Sequence, residues 1–400
     1  MNHPTLIRII ERLEGFLGKL PDAIQKPVLH ELTPLKELFL QQRAPRFVVT
    51  GSNRLPLQEI VAELFAWAPP AESRGVLMEL FRWHGMDLEG RGMISVLDGR
   101  GADARTIPDI QEELKEEPAD IFLHLAEDVV TARMPERELE NLASFIASNT
   151  AARTRAKVVG IVLHDATQAK RGAHNGERRS PAETKMRSRL QTALREQAGV
   201  GEYLLSVLEI SPGAIGTGNE PAKESAPQFM SMLARELPNE ARVEMARVSG
   251  DRAVQGEIAQ MLVKSTTAIC AAIGAQPIPL ADLPILTALQ LVMVSGIMYI
   301  SGRERSLRAA TEFIGALGVN VGAGMLLREG TRALLKFFPG WGNVVCGMVA
   351  GAGTYAIGRS AIVYFLEGVS LKDARRTYLA SRKKRTRPEP RSIEQIEATP

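Results

Sequence analysis

The apolar positions along the chain change their spacing three times. Leu6, Ile9, Ile10, Leu13, Phe16 and Leu17 recur every three or four residues, the stripe of an amphipathic helix. Pro21 breaks that stripe, and a second helical segment is predicted over 23–40. From residue 46 to about 212, short apolar runs alternate with amphipathic segments. Strands are predicted over 46–50, 77–88, 93–97, 119–126, 157–163 and 202–208, and helices over 55–67, 108–117, 135–147 and 182–197. Alternation of this kind predicts an α/β domain with a mainly parallel sheet. The short turn at 89–92 makes the second and third strands an antiparallel pair at one edge.

Beyond residue 212 the pattern changes again. Residues 212–227, rich in Gly, Pro, Ser and Ala, read as a linker, and 229–263 as helix interrupted near Pro238. Long uncharged stretches follow at 283–302, 313–327 and 337–358, of 20, 15 and 22 residues. A bilayer needs about 20 apolar residues, so two of these are long enough to span one. Gly318-x-x-x-Gly322 and Gly347-x-x-x-Gly351 would let helices approach closely. The expected organisation is an N-terminal helical segment (1–45), an α/β domain (46–212), a linker and helix (213–254), a Gly-rich α-helical and transmembrane-capable domain (255–369) and a basic tail (370–400).

Composition narrows the function classes. The 400 residues are 45% hydrophobic and 24% charged, as in an ordinary globular protein. Of the net charge of +3, residues 372–400 supply more than all, with nine Lys/Arg against four Asp/Glu. The remainder is slightly acidic. Together with the absence of an aromatic–basic platform around Trp67, Trp83 or Trp341, this argues against nucleic acid as a partner. Two cysteines, Cys270 and Cys346, make no disulfide framework, and the six histidines form no metal-ligand spacing. His84, His124 and His164 read as strand or loop residues rather than catalytic bases. The start Met1-Asn2-His3-Pro4 lacks the features of a signal peptide, so export is not expected.

The turn after the first predicted strand is where a phosphate-binding loop would sit. Such a loop needs glycines for backbone approach, a lysine for the β/γ-phosphates and a hydroxyl for magnesium, in the spacing G-x-x-x-x-G-K-[S/T]. Here it is Gly51-Ser52-Asn53-Arg54-Leu55-Pro56-Leu57-Gln58. The first glycine is present; proline, leucine and glutamine replace the other three, and Pro56 also lacks the N–H a phosphate would use. Arg54 offers a positive charge from a different backbone position. After the third strand, Asp98-Gly99-Arg100-Gly101 matches D-x-x-G, in which Asp orders magnesium and Gly lets the loop sense the γ-phosphate. After a later strand, His164-Asp165-Ala166-Thr167 stands where N-K-x-D would read guanine, with threonine in place of the carboxylate.

The order of these elements over 46–212 resembles the Era and translation-factor-like GTPases. That resemblance implies a P-loop NTPase-like G domain with a vestigial nucleotide site at Gly51, Arg54, Asp98 and Gly101. The family's ligands, GTP or GDP with magnesium, carry over only as far as those residues. With the lysine and hydroxyl missing, a pseudo-GTPase without catalytic residues is expected. The other readings are an unrelated α/β domain in which these segments are turns, and an active GTPase in which Arg54 or a partner's residue replaces the lysine.

Farther on, the string from Ala275 through Pro277, Pro279, Asp282 and Pro284 to Gln290 leads into an apolar helix. Phe338-Pro339-Gly340-Trp341-Gly342 and the segment 353–365 follow. Together they resemble the family catalogued as domain of unknown function 697, which commonly follows Era-like domains in bacteria and is described as membrane-associated. The charges at Asp282, Arg303, Glu304, Arg328, Glu329, Arg332 and Arg359 fall near predicted helix ends. They read as caps and snorkelled charges, or as a polar site between helices.

The resulting expectation is a GTPase-derived switch or scaffold on the cytoplasmic face of a membrane, integral or peripheral, binding another protein or a second copy of itself; a soluble helical bundle in the cytoplasm is the alternative. A structural membrane protein is the further alternative. Arg382, Lys383, Lys384, Arg385 and Arg387 would meet anionic lipid at about 1 kcal/mol each, or form a solubilising tail.

Overall fold

The computed structural model describes residues 15, 22–39, 41–53, 57–65, 81–88, 90–127, 136–151, 156–163, 181–210, 221–275, 282–317 and 342–386. Its chain forms two compact units, one from Gln42–Asp251 and one from Met1–Gln41 together with Arg252–Pro400.

The first unit is built on a six-stranded sheet. Its strands are β1 (Arg46–Gly51), β2 (Trp83–Asp87), β3 (Met93–Asp98), β4 (Ile121–Glu127), β5 (Lys157–Leu163) and β6 (Leu204–Ile210), in the spatial order β2-β3-β1-β4-β5-β6. Only β2 runs antiparallel, against β3; the other neighbours are parallel. The apolar runs Phe47–Val49, Ile121–Leu125 and Val158–Leu163 are buried along their whole length, as strands covered on both faces must be. The unit is therefore α/β with a mixed, mostly parallel sheet.

The helices of this unit are α1's successors in the chain, so α1 (Asp22–Phe39), which belongs to the second unit, is named first. Next come α2 (Leu57–Leu64), α3 (Ile107–Glu116), α4 (Glu136–Ala151) and α5 (Pro181–Glu196), then α6 (Pro221–Glu236) and α7 (Asn239–Ser249). Ile110 and Leu114 of α3, Leu142 and Phe145 of α4, and Leu190 and Leu194 of α5 cover one face of the sheet over Val48, Phe122 and Val158. Elsewhere in the unit Phe47 meets Phe65, just after α2, edge to face at 5.3 Å. Helix α7 packs against β3, and α6 against α2. Residues 221–227, expected to be linker, are the first turns of α6. Gly250, in the left-handed conformation, closes α7 and separates it from the next helix, a break the apolar periodicity over 229–263 does not reveal.

At the start of the sheet lies an ion pair whose carboxylate is buried and whose guanidinium is partly exposed. Arg43 donates to both carboxylate oxygens of Asp120 at 2.7 Å each, and the Arg46 amide donates to the same carboxylate at 2.9 Å.

The second unit is helical: α1, α8 (Arg252–Gly274), α9 (Asp282–Ile300), α10 (Leu307–Ala316), α11 (Gly342–Phe365) and α12 (Leu371–Thr386). Helices α8 and α11 form its closest pair, with α12 against α11, and α1 and α9 against α8. Small residues allow the approach. A Cβ on Gly347 would lie 2.7 Å from the Ala271 carbonyl oxygen, and one on Gly351 3.0 Å from the Ala271 Cβ. The spacing Gly347-x-x-x-Gly351 thus marks a real helix contact; Gly318 and Gly322 lie outside the described residues. The same logic separates two further glycines of α11. A Cβ at Gly358 would fall 2.5 Å from Val263 Cγ2, whereas one at Gly353 meets nothing within 4 Å. Gly353→Ala is expected to raise the thermal midpoint, gaining about 0.5–1 kcal/mol of helix propensity. Gly358→Ala is expected to lower it, because overpacking costs about 1–3 kcal/mol. Equal shifts in the two melting curves would contradict this packing.

Among the described residues no helix is long and apolar enough to cross a membrane, which corrects the spanning expectation for 283–302 and 337–358. Polar groups inside the bundle are hydrogen-bonded within it. Gln290 donates to Thr354 Oγ1 at 3.0 Å across α9 and α11, and Ser360 donates to the Ala356 carbonyl.

Candidate functional site at the carboxyl end of the sheet

Strand order reverses direction at β1, which lies between β3 and β4. In open parallel sheets the crevice beyond the carboxyl ends of the strands at such a point is where ligands bind. The register puts Val49 beside both Asp98 and Leu123, so the loops leaving β1 and β3 emerge side by side. This brings together three of the four nucleotide-site residues suggested by sequence: Gly51, Asp98 and Gly101. Arg54 lies outside the described residues.

Each has a local reason for its place. Gly51 ends β1 at φ +87°, and a Cβ there would sit 2.2 Å from the Leu125 carbonyl oxygen of β4. The glycine is fixed by close approach of two strands, with no phosphate needed to explain it. Ser52 continues the contact: its amide donates to the same carbonyl at 3.0 Å, and its hydroxyl donates to the Glu127 carboxylate at the end of β4. Gly101, at φ +69°, turns the β3 loop back so that a Cβ would lie 2.9 Å from Asn53 Nδ2.

Asp98 is the residue expected to order a magnesium ion. Its carboxylate is instead clamped by Arg100, whose Nε and Nη2 donate to the two oxygens at 2.7 Å each, while the Arg100 amide donates at 3.2 Å. Both residues are buried. A bidentate guanidinium occupies the lone pairs that a cation or its water shell would use. Arg100 fills a variable position of D-x-x-G, so the motif carries no expectation for it. Its separation of two residues from Asp98 in a tight loop was the available signal. Glu127, at the end of a buried strand, was likewise missed.

The position of the absent lysine is informative as well. Leu57 is the first residue of α2 and is buried in the core. Gln58 follows it, half-buried. Beneath the loops, His124 of β4 is buried with Nδ1 3.1 Å from Thr50 Oγ1 on the paired position of β1. Burial pushes its pKa down to about 4, so at neutral pH it is an uncharged imidazole inside the sheet. His84 lies in β2, and His164 through Thr167 fall outside the described residues. Among the described residues no group of three or more His, Cys, Asp or Glu is placed to hold a metal ion.

In the helical unit the charges near helix ends have separate local partners. The Arg303 guanidinium lies 5.0 Å from the Phe365 ring centre and 5.8 Å from that of Tyr364, and Arg359 pairs with Glu367 at 3.6 Å. Arg328, Glu329 and Arg332 lie outside the described residues. Burial pushes the Cys270 thiol up to about 12, which suits a packing role; it outweighs the opposing hydrogen bond with Thr354. Arg382, Lys383, Lys384 and Arg385 lie on α12, and Arg387 beyond the described part of it.

No family model matches the chain. A curated protein, the magnetosome membrane protein 22 of Magnetospirillum gryphiswaldense, is similar to it: 30% identical over 132 residues, which is 30% of this chain and 66% of that protein. The chain therefore spans just under two thirds of that relative's length.

Proposed function

We propose that this chain is a GTPase-derived switch or scaffold that has lost its chemistry, with the helical unit attaching it to a membrane surface. The observation that carries the reading is the Asp98–Arg100 clamp. In a nucleotide switch that carboxylate must be free to organise a cation; here an internal guanidinium holds it. The sheet order, with β2 antiparallel at the edge and β1 between β3 and β4, supports derivation from a G domain. So does the placement of Gly51 and Gly101 at the crevice. Leu57 at the lysine position and the Ser52–Glu127 hydrogen bond support the loss of activity. Loss of one charge-assisted contact weakens binding by about 1.5–3 kcal/mol, so several losses remove useful affinity. The sheet unit would then act through its surface, by binding another protein or a second copy.

Membrane attachment is supported by the relative whose name places it in the magnetosome membrane and by the basic C-terminal helix. The cytoplasmic face is the side on which basic segments meet anionic lipid.

Isothermal titration of the full chain with GTP, GDP and ATP in magnesium tests the first half. No saturable heat at millimolar nucleotide is the expected result; tight magnesium-dependent binding with turnover would overturn the reading. Fractionation of expressing cells tests the second half, with the protein expected in the membrane fraction.

A further inference from the structure

We infer that the outward face of α12 is an interfacial surface that lies on anionic phospholipid. The inference rests on the reading that the helical unit is membrane-attached, and says which residues make the attachment. Among the described residues helix α12 packs on its unit through one side. Ala374 and Tyr378, four residues apart, are buried, and α12 packs on α11. The opposite side is open. Leu371 and Leu379 are 38% and 53% exposed, and Lys372, Arg375 and Arg376 are exposed with them.

Helical geometry orders these residues. Positions 371, 375 and 379 follow each other at four-residue spacing in one row, with 372 and 376 in the row beside it. Round the helix the exposed arc therefore reads Leu371, Arg375, Leu379, Lys372, Arg376, with Leu371 bordering the buried Tyr378 and the two leucines interleaved with cations. The pair Arg376–Asp373, at 3.1 Å, is solvent-exposed and worth little, so it leaves Arg376 available. The helix runs on through Arg382, Lys383, Lys384 and Arg385, with Asp373 as its one acidic residue.

The two exposed leucines give this cationic arc an apolar component as well. A face for nucleic acid or another polyanion would use the cations alone, or add aromatic rings for stacking. An interfacial helix uses both: leucines enter the boundary between headgroups and acyl chains, while Lys and Arg meet the phosphates.

The test is flotation of the full-length protein with two kinds of vesicle, phosphatidylcholine alone and a 70:30 mixture with phosphatidylglycerol. Three proteins are compared: wild type, the triple variant K372Q/R375Q/R376Q and the double variant L371Q/L379Q. All five positions are exposed, so unchanged melting curves certify the fold. Wild type is expected to bind the anionic vesicles and to bind phosphatidylcholine far less. The triple variant is expected to lose about 10- to 100-fold in partitioning, and the double variant about 10-fold. Wild-type affinity in both variants, or equal binding to both vesicles, overturns the inference. Loss in the triple variant alone also overturns it, since a purely electrostatic face would then suffice. If expressing cells place the protein on membranes while these arms fail, only this inference falls. If the protein is absent from membranes altogether, the attachment reading falls with it.

Discussion

Replacing Asp120 by alanine is expected to destabilise the sheet unit by about 3–5 kcal/mol, the cost of breaking an ion pair whose carboxylate is buried. The carboxylate side chain has no exposure to solvent, and its three hydrogen bonds all come from the chain leading into β1. Two are the bidentate donation from Arg43, and the third is from the Arg46 amide. The Asp120 backbone takes part as well: its amide donates to the Arg46 carbonyl, and its carbonyl accepts from the Lys157 amide. One residue therefore ties the beginnings of β1, β4 and β5 together. The neighbouring Arg46–Glu117 pair reaches a half-exposed carboxylate and is expected to contribute under about 1 kcal/mol. The measurement is urea unfolding followed by Trp83 fluorescence in a background where Trp67 and Trp341 are phenylalanine. Arg43→Ala should cost a similar amount, because it strands the buried Asp120. The paired replacement R43M/D120L should recover much of the loss, since a well-packed apolar pair can match a buried ion pair. A D120A midpoint within experimental error of wild type would remove the clamp from the account of this fold.

The second large effect is acid sensitivity from His124. Its imidazole is buried and uncharged, with burial pushing its pKa to about 4, against about 6.5 in an unfolded chain. Between these two values the unfolded chain holds a proton that the folded one refuses. Stability is therefore fully present above pH 6.5 and falls as the pH drops towards 4. The histidine alone should remove about 2–3 kcal/mol between pH 7 and 4.5. Carboxylates titrate in the same interval, so the informative quantity is the difference between wild type and His124→Asn. The variant should start less stable at pH 7, having lost the packed imidazole, yet lose less on acidification. Parallel curves for the two proteins would show that His124 does not carry this dependence.

The legible parts of the fold were those set by local pattern. Lys157–Leu163 follows its apolar run to the residue, and β1, β3 and α5 begin within a residue of where periodicity put them. Burial on both faces leaves an unbroken apolar strand, and that signal needs no partner to be read. The linker expected to extend to 227 failed because 221–227 is helical: Pro221 stands at the first helical position, where its missing N–H costs no intrahelical bond, and the Pro- and Ser-rich composition hid the helix that follows. The candidate site was legible in half. Gly51, Asp98 and Gly101 stand where a known loop grammar puts them. Arg100 was overlooked although it stands two residues from Asp98 in the same loop, and Glu127 was invisible because its role is set by where its side chain points after folding. Arg43 and Asp120, 77 positions apart, left no local mark at all.

The division of the chain also sets an order of events during its synthesis. Residues 42–251 are contiguous, so the sheet unit has all its strands as soon as they leave the ribosome. Helix α1 must wait, because α8, against which it packs, begins only at Arg252. At about 5–20 residues per second, translating the 210 intervening residues takes roughly 10–40 s. During that interval the apolar stripe of α1, with Val28, Leu32, Leu35 and Leu38, has no native surface to cover it. Helix α1 is thus open to chaperones over that interval, and the helical unit closes after the sheet unit.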